Sequence, residues 1–208
     1  TVEKGKYLTV KDAINDLIDG SKSNYVDELN NKSGFREVIK TQSNKNIFLN
    51  QNERKHSEKV TLRFRIYQYL SKNNVSPKIF NLSSEYNETN NQILLKEIET
   101  LLVNCEYPAK SPDNYLLANN ISTLLELILE LGTKKHSQRP LKLNAPSPTV
   151  VSIPDDVIHP IYPRAMTVRE QARFQSFPDY FEFRSKETTG GEKRKIEVPQ
   201  YTQVGNAV

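Results

Sequence analysis

The sequence predicts an α+β fold with short strands and about three helices, followed by a C-terminal helix and a β-hairpin. Apolar residues recur at helical spacing in three stretches, 58–71, 91–104 and 121–131. Beyond Gly132, Pro140, Pro146, Pro148, Pro154, Pro160 and Pro163 punctuate an extended segment that admits only short strands. Hydrophobic residues are 36% of the 208 and charged residues 26%, so the core is thin and long Asn-, Lys- and Ser-rich loops lie outside it.

Taken in order, Thr9-Val10-Lys11-Asp12 followed by Ala13, Ile14 and Leu17 reads as a short capped helix. Thr9 can accept from a first-turn N–H, Asp12 suits the positive helix end, and Gly20 stops it. Residues 21–57 are polar, with isolated apolar points at Val38, Ile39, Ile47, Phe48 and Leu49 that predict short strands in a loop-rich region. Leu62, Ile66 and Leu70 form one stripe of a helix over 58–71, with Arg63 and Tyr67 on another face. Ile93, Leu94, Ile98, Leu101 and Leu102 predict a second helix. A third, over 121–131, takes Asn120 or Ser122 as its cap and ends before Gly132.

Thr149 to Ile153, between prolines, reads as a strand. Thr167 and Glu170 have capping-box spacing and open a helix that Pro178 stops. Phe181 and Phe183, then Ile196 and Val198, alternate with polar residues on either side of Gly190-Gly191, which predicts a β-hairpin with the basic arm Lys193-Arg194-Lys195.

Net charge is +4 and the pI about 9.0, which suits an anionic partner such as nucleic acid, or a plain solvated basic surface. The one cysteine, Cys105, excludes a disulfide within the chain and a cysteine-built zinc site, and fits a reducing intracellular setting. His56, His136 and His159 lack ligand spacing, so no metal site is expected. No apolar run reaches the about 18 residues that a membrane span needs. The chain starts at Thr1 and stops just after Gly205-Asn206-Ala207, which reads as an excised fragment or a mature subunit.

Two segments carry a resemblance. Arg164-Ala165-Met166-Thr167-Val168-Arg169-Glu170-Gln171-Ala172-Arg173-Phe174-Gln175-Ser176-Phe177-Pro178-Asp179 resembles the ninth conserved motif of cytosine-5 DNA methyltransferases. Gln200-Tyr201-Thr202-Gln203-Val204-Gly205-Asn206-Ala207-Val208 resembles the tenth. Pro146 to Val150, with Asp155, Asp156, Ile158, His159 and Pro160, looks like the lead into the ninth motif, and Leu8 to Leu17 like the segment after the eighth. The four occur in the family's order, and the interval between the first and the next is where that family keeps its variable target-recognition region. The family's Gly-rich cofactor motif, Pro-Cys nucleophile loop, Glu-Asn-Val motif and paired-arginine eighth motif do not occur in this chain.

The resemblance implies three regions: 1–20 following the eighth motif, 21–140 as target-recognition domain, and 141–208 as the ninth- and tenth-motif segment. It implies an enzyme that flips a cytosine out of double-stranded DNA, adds a cysteine thiolate to the ring and transfers a methyl group from S-adenosylmethionine. This chain would supply sequence reading and one edge of the cofactor site, with no catalytic residue of its own. Cys105 follows an asparagine at the end of a helical pattern and reads as a small buried residue.

Gly205, Asn206 and Ala207 are the implied cofactor-binding residues, with a purely structural turn as the alternative. Arg164, Thr167, Arg169, Glu170, Arg173 and Pro178 form the structural motif. Arg169 and Arg173 share a helix face and either touch phosphate or, as we favour, anchor the two lobes of the enzyme. Phe174 and Phe177 read as core. Lys134, Lys135, His136, Arg139, Lys193, Arg194 and Lys195 are candidate phosphate contacts, or else exposed basic loops. The expected partners are DNA and a catalytic lobe, in the same enzyme or as a separate subunit, in the cytoplasm of a bacterium or archaeon with a restriction–modification system. The alternatives are a natural small subunit of a split methyltransferase and a non-catalytic DNA-binding protein that reuses the recognition domain.

Overall fold

Helix α1, Val10–Asp19, begins where the sequence places it, because Thr9 and Asp12 satisfy each other's free groups. The Thr9 N–H donates to Asp12 Oδ2 at 2.8 Å and the Asp12 N–H to Thr9 Oγ1 at 3.3 Å. The computed structural model describes residues 7–19, 49–135, 137–189, 193 and 196–207. It divides into one unit of Lys55–Pro140 with Asp155–Ala165 and another of Thr1–Arg54, Leu141–Pro154 and Met166–Val208. The strands expected around Val38, Ile39, Ile47 and Phe48 fall outside the described residues, as does Gly20.

Among the described residues, the Lys55–Pro140 unit is built on four helices: α2 (Glu58–Lys72), α3 (Ile79–Thr89), α4 (Gln92–Leu102) and α5 (Ile121–Glu130). The caps are local. Ser57 accepts from the Val60 N–H, Asn91 from Ile93 and Asn120 from Thr123. Helix α2 ends because Asn74 takes φ 57°, so that the Val75 N–H reaches Leu70 O at 2.9 Å and the Asn74 N–H reaches Ser71 O at 3.2 Å. That is the glycine-type helix stop with asparagine in the left-handed position. Phe64, Tyr67, Leu70, Phe80, Ile98, Leu124 and Ile128 form the centre of one apolar core.

Helix α3 is absent from the sequence-based reading. Its buried face is Ile79, Phe80 and Ser83, and the small polar Ser83 interrupts the apolar stripe. Ser83 donates to Ile128 O at 2.8 Å, which makes the burial tolerable. A Cβ on Gly132 would lie 2.9 Å from Ser83 Oγ, so the end of α5 closes directly on this helix.

The strands among the described residues are short, as expected, and lie at positions that the sequence did not single out as strands. Strand β1, Ala109–Lys110, pairs antiparallel with β2, Leu116–Ala118; β3, Arg139–Pro140, pairs in parallel with β4, Val157–Ile158. The strand expected over Thr149–Ile153 is not formed. A 3-10 turn at Pro154–Asp156 follows that stretch, and the pairing falls on Val157 and Ile158. Gln68 Nε2 donates to His159 O at 2.7 Å and to Tyr162 O at 2.9 Å, and with the β3–β4 ladder this places 155–165 in the Lys55–Pro140 unit.

The other unit holds α1, α6 (Val168–Phe174) and α7 (Gln200–Gly205) over a core of Val150, Val168, Ala172, Phe183, Tyr201 and Val204, with Phe174 and Phe177 half-buried against it. The capping box is present: Thr167 Oγ1 accepts from the Glu170 N–H at 3.1 Å, and the Thr167 N–H donates to Glu170 Oε2 at 2.7 Å. The helix stops before Pro178. Ser176 adopts φ 64°, the Phe177 N–H bonds Ala172 O and the Ser176 N–H bonds Arg173 O, both at 3.0 Å.

The predicted hairpin is not formed among the described residues. The Phe183 N–H and C=O pair with the side-chain amide of Asn50, at 3.0 and 2.8 Å, where a neighbouring strand was expected. Ile196 is 85% exposed and faces no such partner; Gly190 and Gly191 fall outside the described residues.

Candidate functional site

The ninth-motif segment straddles the two units. Arg164 and Ala165 belong with Lys55–Pro140, and Met166 onward with the other unit. Arg164 is buried, donates from Nη1 to Ala165 O at 3.0 Å and has its Cζ 5.6 Å from the centre of the Tyr162 ring.

From Thr167 on, the motif builds a polar cluster inside its unit. Arg173 has no exposed side-chain surface and uses all five N–H donors. It meets Asp16 at 2.6 and 2.9 Å, Asp179 at 2.9 and 2.7 Å, and Ala13 O at 2.9 Å. Burial works to lower its pKa, but the hydrogen bonds to Asp16 and Asp179 outweigh that and hold the proton more firmly than usual.

Arg169 donates to Leu49 O at 2.9 Å, to Pro178 O at 3.0 Å and to Phe181 O, so one guanidinium ties three pieces of backbone. Burial depresses its pKa, with the Asp179 carboxylate working the other way. No donor of Arg173 is left for a phosphate. Glu170 also receives Gln51 Nε2 at 3.4 Å, and Thr167 Oγ1 donates to Gln51 Oε1 at 2.9 Å. The sequence assigns no role to Asp16, Asp179 or Asn50. For Asp16 there was a signal: an acidic residue three positions after Ala13 falls on the apolar side of α1.

At the tenth motif, the Tyr201 hydroxyl donates to Met166 O at 2.7 Å. Gly205 is close-packed: an added Cβ would lie 2.6 Å from Ser152 N and 2.8 Å from Val151 C. The close backbone approach that glycine permits is therefore made to the chain's own Val151–Ser152 segment. Asn206 is exposed at the C-terminal end of α7, and its side-chain amide is not used within the described residues. An amide that both donates and accepts fits a polar small-molecule edge, which Gly205 itself does not. Gly205→Ala is expected to cost about 1–3 kcal/mol through overpacking, read as a lower Tm in thermal denaturation.

The basic candidates fall in both units. Lys134 pairs with Glu88 at 2.7 Å, with both side chains exposed, and such pairs contribute little. Lys135 and Arg139 are exposed in the same unit, Arg139 within β3, and Lys193 is exposed in the other. His136, Arg194 and Lys195 fall outside the described residues. Cys105 is buried and its thiol is pushed up by burial, with the Tyr69 hydroxyl working the other way; Sγ also makes a long contact to Leu101 O at 3.9 Å. Among the described residues no group of three or more His, Cys, Asp or Glu is placed to hold a metal ion, and no helix is long and apolar enough to cross a membrane.

Comparison with known proteins agrees with the motif order. The model of the C-5 cytosine-specific DNA methylase family matches residues 2–208. Type II methyltransferase M.DdeI of Desulfomicrobium norvegicum is 48% identical over 64 residues, 30% of this chain and 15% of that protein. Type II methyltransferase M.AquIB of Picosynechococcus sp. is 37% identical over 107 residues, 50% of this chain and 77% of that protein. DNA (cytosine-5)-methyltransferase CMT2 of Arabidopsis thaliana is 42% identical over 65 residues, 29% of this chain and 4% of that protein. The chain thus spans a small part of two of these relatives and most of the third. No solved structure matches it. With the family's model matched along nearly its whole length, the chain belongs to the C-5 cytosine-specific DNA methylase family.

Proposed function

We propose that this chain is the DNA-recognition and structural half of a DNA (cytosine-5-)-methyltransferase of a restriction–modification system, and that it transfers no methyl group by itself. One observation carries the reading. The chain's only thiol, Cys105, is built into the core of the Lys55–Pro140 unit with its pKa raised, the opposite of an activated nucleophile. The attacking cysteine therefore belongs to a catalytic lobe that carries the family's Pro-Cys loop.

In this reading residues 21–140 choose the target in double-stranded DNA. Lys134, Lys135, Arg139, Lys193, Arg194 and Lys195 contact phosphates, which set register without reading sequence. Arg169, Glu170 and Arg173 hold the shape of the ninth-motif unit. Asn206 and Ala207 border the cofactor, and Gly205 lets α7 close on Val151 and Ser152 so that they are presented. S-adenosylmethionine, when bound, supplies the methyl group.

The test is incorporation of labelled methyl groups into DNA. The chain alone should give none, and the chain combined with a catalytic lobe carrying the Pro-Cys motif should methylate cytosine. Incorporation by the chain alone overturns the proposal.

A second reading, a natural small subunit paired with a separate catalytic chain, has a specific observation in its favour. M.AquIB is matched over 77% of its length by 107 residues, so that relative is itself shorter than this chain. The two readings separate on whether the native polypeptide carrying these residues also carries a Pro-Cys motif.

A further inference from the structure

We infer that Arg65 is a base-reading side chain and that the cavity it borders receives the major-groove edge of a G·C pair. This rests on the reading of the chain as the DNA-recognition half. The cavity, about 650 Å³, lies within the Lys55–Pro140 unit and is lined by residues from the start of α2, the end of α5 and the β1–β2 loop.

Arg65 is held in place before any ligand arrives. Its Nε donates to Asp113 Oδ2 at 2.9 Å, its Nη2 pairs with the same oxygen at 2.8 Å, and its Cζ sits 4.1 Å from the centre of the Tyr115 ring. Both restraints come from the loop joining β1 to β2, where Asn114 takes φ 63° and the Ser111 hydroxyl donates to Asp113. Burial works to raise the Asp113 pKa, but the hydrogen bonds from Arg65 and Ser111 hold the carboxyl below its ordinary value, so the clamp stays charged. The Arg65 side chain keeps 23% of its surface exposed, and its Nη1 has no hydrogen-bond partner among the described residues. Arg63, two residues earlier, spends its Nε on Leu131 O at 3.0 Å, and Arg169 and Arg173 are buried. Arg65 is both fixed and open.

The charges around it select a base edge over a phosphate. Lys59 and Arg65 line the cavity together with Glu58 and Glu130, and Asp113 already neutralises Arg65. A site so balanced has little net attraction for a polyanion, whose binding is driven by uncompensated Lys and Arg. A G·C pair presents guanine N7 and O6 as acceptors and cytosine N4 as donor in the major groove, so it asks for a guanidinium and a carboxylate side by side. Tyr115, 45% exposed, and Leu116, 48% exposed, add apolar contact beside the polar groups.

The test uses the intact methyltransferase containing this chain, acting on a randomised DNA library whose methylated cytosines are then mapped. The wild type should require a G·C pair at one position. Arg65→Lys, which keeps the charge for Asp113 but loses the bidentate fork, should relax that requirement by roughly tenfold to a hundredfold at that pair and nowhere else. Tyr115→Leu, at an exposed site that spares the fold, should relax the same pair less. Retention of every preference by both variants overturns the inference, as does an equal loss at all positions with a flatter salt dependence, which marks a phosphate contact. If the wild type methylates no DNA at all, the functional reading beneath it fails as well.

Discussion

Arg173→Ala is expected to destabilise the unit that holds it by about 3–5 kcal/mol, because the substitution leaves buried charge without its partner. Asp16 and Asp179 have 3% and 5% of their side-chain surface exposed, and Arg173 none. Neither carboxylate can turn to bulk water when the guanidinium goes. Arg173→Lys should recover little, since one ammonium cannot present five fixed N–H groups to two carboxylates and the Ala13 carbonyl. Chemical denaturation reads the loss as a lower midpoint. DNA binding, at a temperature where the variant is still folded, should keep its salt slope. A flatter slope with unchanged stability would mean that Arg173 neutralises a phosphate, and would remove it from the anchoring role.

Phe64→Ala is the second large effect, at about 3–5 kcal/mol, the usual cost of an aromatic-to-alanine cavity in a packed core. Phe64 is 1% exposed within the Lys55–Pro140 unit, and its ring meets His56 edge-on at 5.0 Å between centroids. The cost is a sizeable share of the roughly 5–15 kcal/mol by which such proteins are stable at all. Phe64→Leu, which refills most of the space, should restore over half. Equal Tm values for the wild type and Phe64→Ala would contradict the placement of this ring at the centre of the core.

The helices that the sequence revealed are those whose signals are local. Ser57, Asn91, Asn120 and Thr167 each cap a helix through bonds spanning two or three residues, and a span that short is legible from one sequence. Helix α3 was not legible because Ser83 faces the core, and only the Ile128 carbonyl explains why it can. The hairpin was misread for a related reason. Alternation of Phe181 and Phe183 implies a strand partner, but the partner is an amide 133 residues away on Asn50. Asparagine, counted in the sequence as loop material, also stands in left-handed positions at Asn50, Asn74, Asn90 and Asn114 in a chain with seven glycines.

The candidate site divides in the same way. Motif order alone placed the chain in its family and set Arg169, Glu170, Arg173 and Gly205 apart from their neighbours. It could not say what each one touches. Only the tertiary structure brought Asp16 and Asp179 to Arg173, Val151 and Ser152 to Gly205, and Asp113 and Tyr115 to Arg65. The physical reason is range. Caps, turns and a motif's spacing are settled by neighbours along the chain, whereas the environment that makes a charged side chain an anchor or a reader is assembled from residues far apart in sequence.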